Sequence, residues 1–389
     1  MTKLLTGEKK YGDRLRYKKE SGQQKTGVAP GKGPVVVWNV TPDCNLDCRH
    51  CYAAERSENG DVMDTGQAKD FIDQLAEFNV PVLLFSGGEP LLRDDIYDLI
   101  NYSTERDIRT VVSTNGTLLS PGNVKRLRKA PVSYVGVSLD GTESKNDQFR
   151  GQPGAFRKAL AGIRNCRQQN QKVGLRFTLS EYTYSEVENI FNLVEEEKIP
   201  RVCFYHLVYS GRGSELREAE IEKQKKRQLL DLIMSKTEEF SDRGLDIEIL
   251  TVDNHADGIY AYLRCKEKDP ERAEYIYQLL SNNGGNRSGQ AFACVDWKGD
   301  VHPDQFTRQI TFGNVRQNDF GQIWSASAGE NISLLEHWRN RKKHLTGRCA
   351  NCHWLNFCNG NLRARAQAIH DDLWAPDPAC YLTDEEIRK

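Results

Sequence analysis

TPDCNLDCRHCYAA, residues 41–54, is the stretch on which the reading of this chain turns. Its cysteines, Cys44, Cys48 and Cys51, stand in a C-x3-C-x2-C spacing. Thiolates are the usual protein ligands of iron-sulfur clusters, and a cubane cluster normally takes four of them. Three on one short loop leave one iron open to a ligand from outside. Zinc or plain burial would also account for three cysteines, so the residues around the loop decide between these readings.

Just before the loop lies VVVWNV (35–40), the first of six β-branched runs. VPVLLFS (80–86), IRTVVST (108–114), VSYVGVSLD (132–140), KVGLRFTL (172–179) and RVCFYHLVY (201–209) follow, separated by stretches such as TGQAKDFIDQLAEF and SEVENIFNLVEEE with apolar residues at helical spacing. Strand and helix alternating six times predict an α/β fold. Its parallel sheet has right-handed crossovers and curves into a partial (β/α)6 barrel, with ligands at the C-terminal strand ends.

Polar motifs fall at those ends. FSGGEPLL (85–92) offers Gly87 and Gly88, which let a ligand approach the backbone, and Glu89, a carboxylate able to accept from an ammonium group. STNGT and VSLDG place Ser113, Asn115, Ser138 and Asp140 on the same edge, where a ribose or carboxylate could lie. Arg176 in GLRFT could neutralise such a carboxylate. Asn-Gly and Asp-Gly are also common turn formers, so the joint placement says more than any one residue.

A second cysteine set, Cys349, Cys352 and Cys358 in GRCANCHWLNFCNGN and Cys380 in DPACYL, supplies four thiolates. Four can close every position of a second cubane cluster; they would equally make a tetrahedral zinc site. Cys294 is an alternative ligand. Cys166, Cys203 and Cys265 stand alone, as small buried hydrophobes do.

The chain has 389 residues, 54 Lys plus Arg against 55 Asp plus Glu, and no apolar run of membrane-span length. That balance argues against nucleic acid and membrane as partners. With a polar, basic start lacking the apolar stretch of a secretory signal, it points to a cytoplasmic enzyme. The pattern divides into a mobile arm (1–33), the partial barrel (34–215), a helical connection (216–289) and a C-terminal auxiliary domain (290–389).

With Tyr52 directly after the last cysteine and GGEP at the second strand end, the sequence resembles the radical S-adenosylmethionine (radical SAM) superfamily. The resemblance implies a [4Fe-4S] cluster on Cys44, Cys48 and Cys51. S-adenosylmethionine would chelate its open iron near Gly87, Gly88, Glu89, Ser113, Asn115, Ser138 and Arg176, and one electron would split it to a deoxyadenosyl radical. The C-terminal set resembles the auxiliary [4Fe-4S] domains (SPASM or twitch type) of that superfamily.

Further stretches, among them YHLVYSGRGSEL, LTVDNHADG, GGNRSG, VHPDQF and DPACYLTDEEI, are similar to a group acting on iron tetrapyrroles. One branch removes two acetate side chains from didecarboxysiroheme, leaving methyl groups and giving Fe-coproporphyrin III. The other, in haem d1 biosynthesis, replaces two propionates by oxo groups. The stretches lie nearer the first branch. This implies Tyr205, Arg212, His255 and Arg287 as substrate contacts, and a low-potential electron donor such as a ferredoxin or flavodoxin. A peptide-modifying radical SAM enzyme and a zinc-binding interaction module are the alternatives of other classes.

Overall fold

Every β-branched run becomes a strand of one sheet. The computed structural model describes residues 1–8, 13–17, 27–54, 62–329 and 331–388. Its strands are β1 (Val35–Asn39), β2 (Val82–Ser86), β3 (Arg109–Thr114), β4 (Tyr134–Ser138), β5 (Val173–Leu179), β6 (Arg201–His206), β7 (Glu248–Val252), β8 (Phe292–Val295) and β9 (Val301–His302). They form one nine-stranded sheet in the order β7-β6-β5-β4-β3-β2-β1-β8-β9. All pairs are parallel except β8 with β9.

Helices cover the outside of the sheet by burying one stripe each. The helix Thr65–Glu77 buries Ala68, Phe71, Ile72 and Leu75, positions on one helical face. It starts at a capping box in which Asp64 and Gln67 satisfy each other's backbone N–H groups. Phe71 meets Trp38 of β1 edge-on at 5.2 Å. The helix Pro121–Lys129 likewise begins with a Ser120 side-chain cap and proline at its first position. Among the described residues no helix is long and apolar enough to cross a membrane.

The structure departs from the sequence-based division in three places. The arm expected to be mobile begins with the helix Thr2–Thr6, which buries Met1, Leu4 and Leu5 in the main core; residues 9–12 and 18–26 lie outside the described residues. The sheet does not stop at 215. The helix Lys223–Asp242 is the crossover from β6 to β7, its apolar face (Leu229, Leu230, Ile233, Phe240) hidden in the sequence by abundant charge. Nor does 290 open a detached unit, because β8 hydrogen-bonds to β1 with Cys294 opposite Val37. Four residues are too few to show a period.

Candidate functional site

The cysteine loop leaves the C-terminal end of β1 and is held by backbone from three other segments. Gly88 N–H donates to the Thr41 carbonyl at 2.8 Å and Glu89 N–H to the Asp43 carbonyl at 2.7 Å. A Cβ on Gly88 would stand 2.1 Å from the Asp43 oxygen, so only glycine allows this approach. On the other side Asp47 and Arg49 N–H groups donate to the carbonyls of Arg150 and Phe149. Gly211 lies against the Cys51 carbonyl with φ 55°. The two glycines of GGEP border a cavity, and their first task is to seat this loop.

Cys44, Cys48 and Cys51 all line one cavity of roughly 600 Å³ on the C-terminal edge of the sheet, within the usual size of a small-molecule site. Gly87, Gly88, Ser113, Asn115, Ser138, Arg176, Tyr205, His255 and Arg287 line it too. Arg176 Nη1 donates to Ser113 Oγ, and its guanidinium stands 5.8 Å from the Tyr205 ring centre. The absence of a side chain on Gly136 makes room for it. Asn115 Nδ2 donates to Asn45 Oδ1 at 2.8 Å, which ties the β3 end to the cysteine loop. Val35, Val37, Leu84, Phe292, Phe306 and Leu362 supply an apolar wall.

Four assignments change. Glu89 is fully buried and does not face the cavity; its carboxylate accepts from Leu91 N, Thr114 Oγ1 and Asn115 N, joining the ends of β2 and β3. Burial raises its pKa to about 7. Asp140 is likewise enclosed, ion-paired with Arg150 and accepting from Thr178 N at 2.6 Å. Arg212 turns away from the cavity: Nε donates to the Cys48 carbonyl at 2.8 Å and Nη1 pairs with Asp47 at 2.7 Å. It holds the cysteine loop, because the GRG turn docks there. Cys294 is wholly buried, with Asn39 Nδ2 3.7 Å from its sulfur, and is not with the C-terminal cysteines.

Arg150 escaped sequence reading. It lines the cavity, and its Nη1 lies 3.6 Å from Cys48 Sγ. Asp140 and Cys48 both raise its pKa, against the effect of burial. In the sequence it is marked only by its place in the FRG turn at 149–151. Asp253 and Asp304 also line the cavity, and burial lifts the Asp253 pKa to about 7.

Cys349, Cys352, Cys358 and Cys380 surround a second, small hollow with Trp354, Asn361 and Asp377. Buried asparagines bind this region to the cavity. Asn361 Nδ2 donates to Asn254 Oδ1 (2.8 Å), Asn286 Nδ2 to the Asn361 carbonyl (2.6 Å) and Asn359 Nδ2 to the Asn286 carbonyl (2.6 Å). Asn361 Oδ1 accepts the backbone N–H of His255 at 2.9 Å.

The number of thiols at each place suits a different cluster: three at the larger cavity match one with an open position and four around the smaller hollow match one without, although among the described residues no three such side chains are set to hold a single metal ion. Burial pushes the Cys44 and Cys380 thiols up to about 11, so metal binding there must release protons.

Residues 38–194 match the radical SAM superfamily, and residues 287–353 match an iron-sulfur cluster-binding domain (SPASM). The chain is 47% identical to the Fe-coproporphyrin III synthase of Methanosarcina barkeri, over 100% of this chain and 98% of that one. The chain belongs to the radical SAM superfamily. It is a radical SAM enzyme with an auxiliary iron-sulfur domain, and its cofactors are a [4Fe-4S] cluster with S-adenosylmethionine and an auxiliary cluster.

Two other likenesses frame this radical SAM enzyme. The pre-heme d1 synthase of Dinoroseobacter shibae is 38% identical over 91% of this chain and 87% of that one. Streptococcus suis SuiB bound to its precursor peptide SuiA superposes with a TM-score of 0.71 at 18% identity, covering 90% of this chain and 76% of that one. The latter is a likeness of fold alone.

Proposed function

We propose that this radical SAM enzyme converts didecarboxysiroheme to Fe-coproporphyrin III by removing two acetate side chains and leaving methyl groups. The observation that carries this reading is the 47% identity to Fe-coproporphyrin III synthase across both chains from end to end. The pre-heme d1 synthase is further away in identity and coverage, so replacement of propionates by oxo groups is the less favoured reaction.

In this reading Cys44, Cys48 and Cys51 hold the cluster with the open iron, and Cys349, Cys352, Cys358 and Cys380 hold the auxiliary one. When bound, the first cluster and S-adenosylmethionine supply a hydrogen-abstracting radical; the protein's own task is position and exclusion of water. Gly87 and Gly88 admit the methionyl end close to the backbone. Ser113, Asn115, Ser138 and Arg176 offer donors to its carboxylate and ribose. Arg150 offsets negative charge beside Cys48. Tyr205, His255 and Arg287 face the tetrapyrrole across the apolar wall, with the Arg287 guanidinium matched to a side-chain carboxylate. A low-potential donor such as a ferredoxin or flavodoxin reduces the clusters.

The test is a mass measurement on reduced, anaerobically prepared protein given S-adenosylmethionine and didecarboxysiroheme. Loss of two acetate units with methyl groups in their place is the expected outcome. Ring oxo groups with propionate loss would transfer the chain to the haem d1 reaction.

A further inference from the structure

Three histidines line the cavity, and two of them are occupied. His50 belongs to the cysteine loop, its ring stacked on Phe149 at 4.3 Å and its Nε2 3.7 Å from Asp140. His206 Nε2 lies 2.9 Å from the Asp257 carboxylate, which fixes that imidazole in the wall. His255 differs. It stands just beyond β7, six strands from β1 in the sheet, at the start of the helix Ala256–Lys266. Its backbone is tied to Asn361, yet among the described residues its ring makes no hydrogen bond and no ring contact.

We propose that His255 is the axial ligand to the iron of the tetrapyrrole substrate. The inference rests on the tetrapyrrole reading above and gives that site a specific metal contact. A neutral imidazole nitrogen is a common axial ligand of iron in a tetrapyrrole. Burial lowers the His255 pKa to about 4, so its nitrogen lone pair is available at neutral pH.

The neighbouring candidates are poorer ligands. The Tyr205 hydroxyl, pushed up to about 12, would have to give up a proton to ligate iron, whereas a neutral imidazole would not. Asp253, lifted to about 7 by burial, would likewise have to lose a proton from its neutral form. The Asn254–Asn361 pair holds the His255 backbone against drift, as a ligand that must set the height of a rigid macrocycle requires. One bond through the ring centre then fixes the position and height of the macrocycle over His255, and Arg287 is left to fix its rotation through a peripheral carboxylate.

The experiment titrates full-length, anaerobically prepared protein with iron coproporphyrin III and with metal-free coproporphyrin III, followed by difference absorbance and low-temperature electron paramagnetic resonance. The wild type is expected to give a nitrogen-ligated iron spectrum and to prefer the iron form. His255→Ala should lose that spectrum and cut the preference by roughly tenfold, while binding the metal-free form as the wild type does, which shows that it is folded. Added imidazole should restore the spectrum. An unchanged iron spectrum in His255→Ala, or oxygen ligation in the wild type, would overturn the proposal. If the wild type bound neither porphyrin, the tetrapyrrole reading itself would fall, and the ligand assignment with it.

Discussion

At the scale of single residues, two arginines that look alike in sequence do different work. Arg212 and Arg287 both sit in glycine-containing turns, but Arg212 grips the Cys48 carbonyl while Arg287 lines the cavity. Arg212→Ala should therefore lower iron bound at the triplet severalfold and leave affinity for the tetrapyrrole within about twofold; iron analysis and a binding titration on one preparation check both. Loss of affinity with full iron content would return Arg212 to the substrate. Asp253 gives a pH-dependent case. Its pKa is about 7 in the folded protein against 3.8 in an exposed chain, so the folded state holds the extra proton between those values and stability falls as pH rises through that window. Asp253→Asn should raise Tm by an amount that grows from pH 4 to pH 7 and then levels. An equal gain at pH 4 and pH 8 would show that the carboxyl is not protonated there.

At the scale of elements, the site is made by loops gripping loops. The six strand-helix repeats were legible because β-branched runs and helical spacing are local signals, and so was the triplet, whose chemistry is written in its spacing. The partners of GGEP, GRG and FRG were not. Gly88 reads as a place for a ligand to approach, yet its missing side chain first admits the Asp43 carbonyl, a contact between residues 45 positions apart. Glu89 reads as an exposed acceptor and is enclosed between β2 and β3. The asparagine chain through residues 254, 286, 359 and 361 had no sequence signature, because each asparagine also suits an ordinary turn. Gly88→Ala should displace the cysteine loop while leaving the C-terminal set intact. The expected result is about half the wild-type iron with an unchanged far-ultraviolet circular dichroism spectrum; full iron content would mean that the loop relaxes at little cost.

At the scale of the whole molecule, the region of the C-terminal cysteines is tied to the sheet that carries the triplet. β8 joins the far edge of β1, and Arg365, wholly buried, spans from the C-terminal region to the strand ends. It pairs with the equally buried Asp377 at 2.9 Å and donates to the carbonyls of Leu207 (3.1 Å) and Asp253 (2.7 Å). Removing one partner leaves a buried charge unpaired, so Asp377→Asn should cost about 3–5 kcal/mol in a denaturant titration; a change below 1 kcal/mol would mean that the two regions are joined elsewhere. The account as a whole stands on two cysteine sets of different openness. The direct measurement compares the wild type with a variant carrying Cys44→Ala, Cys48→Ala and Cys51→Ala together, for iron, sulfide and 5′-deoxyadenosine released from S-adenosylmethionine on reduction. The wild type should hold about eight irons and the variant about four, with cofactor cleavage only in the wild type. A variant that still released 5′-deoxyadenosine, or a wild type containing zinc and no sulfide, would contradict it.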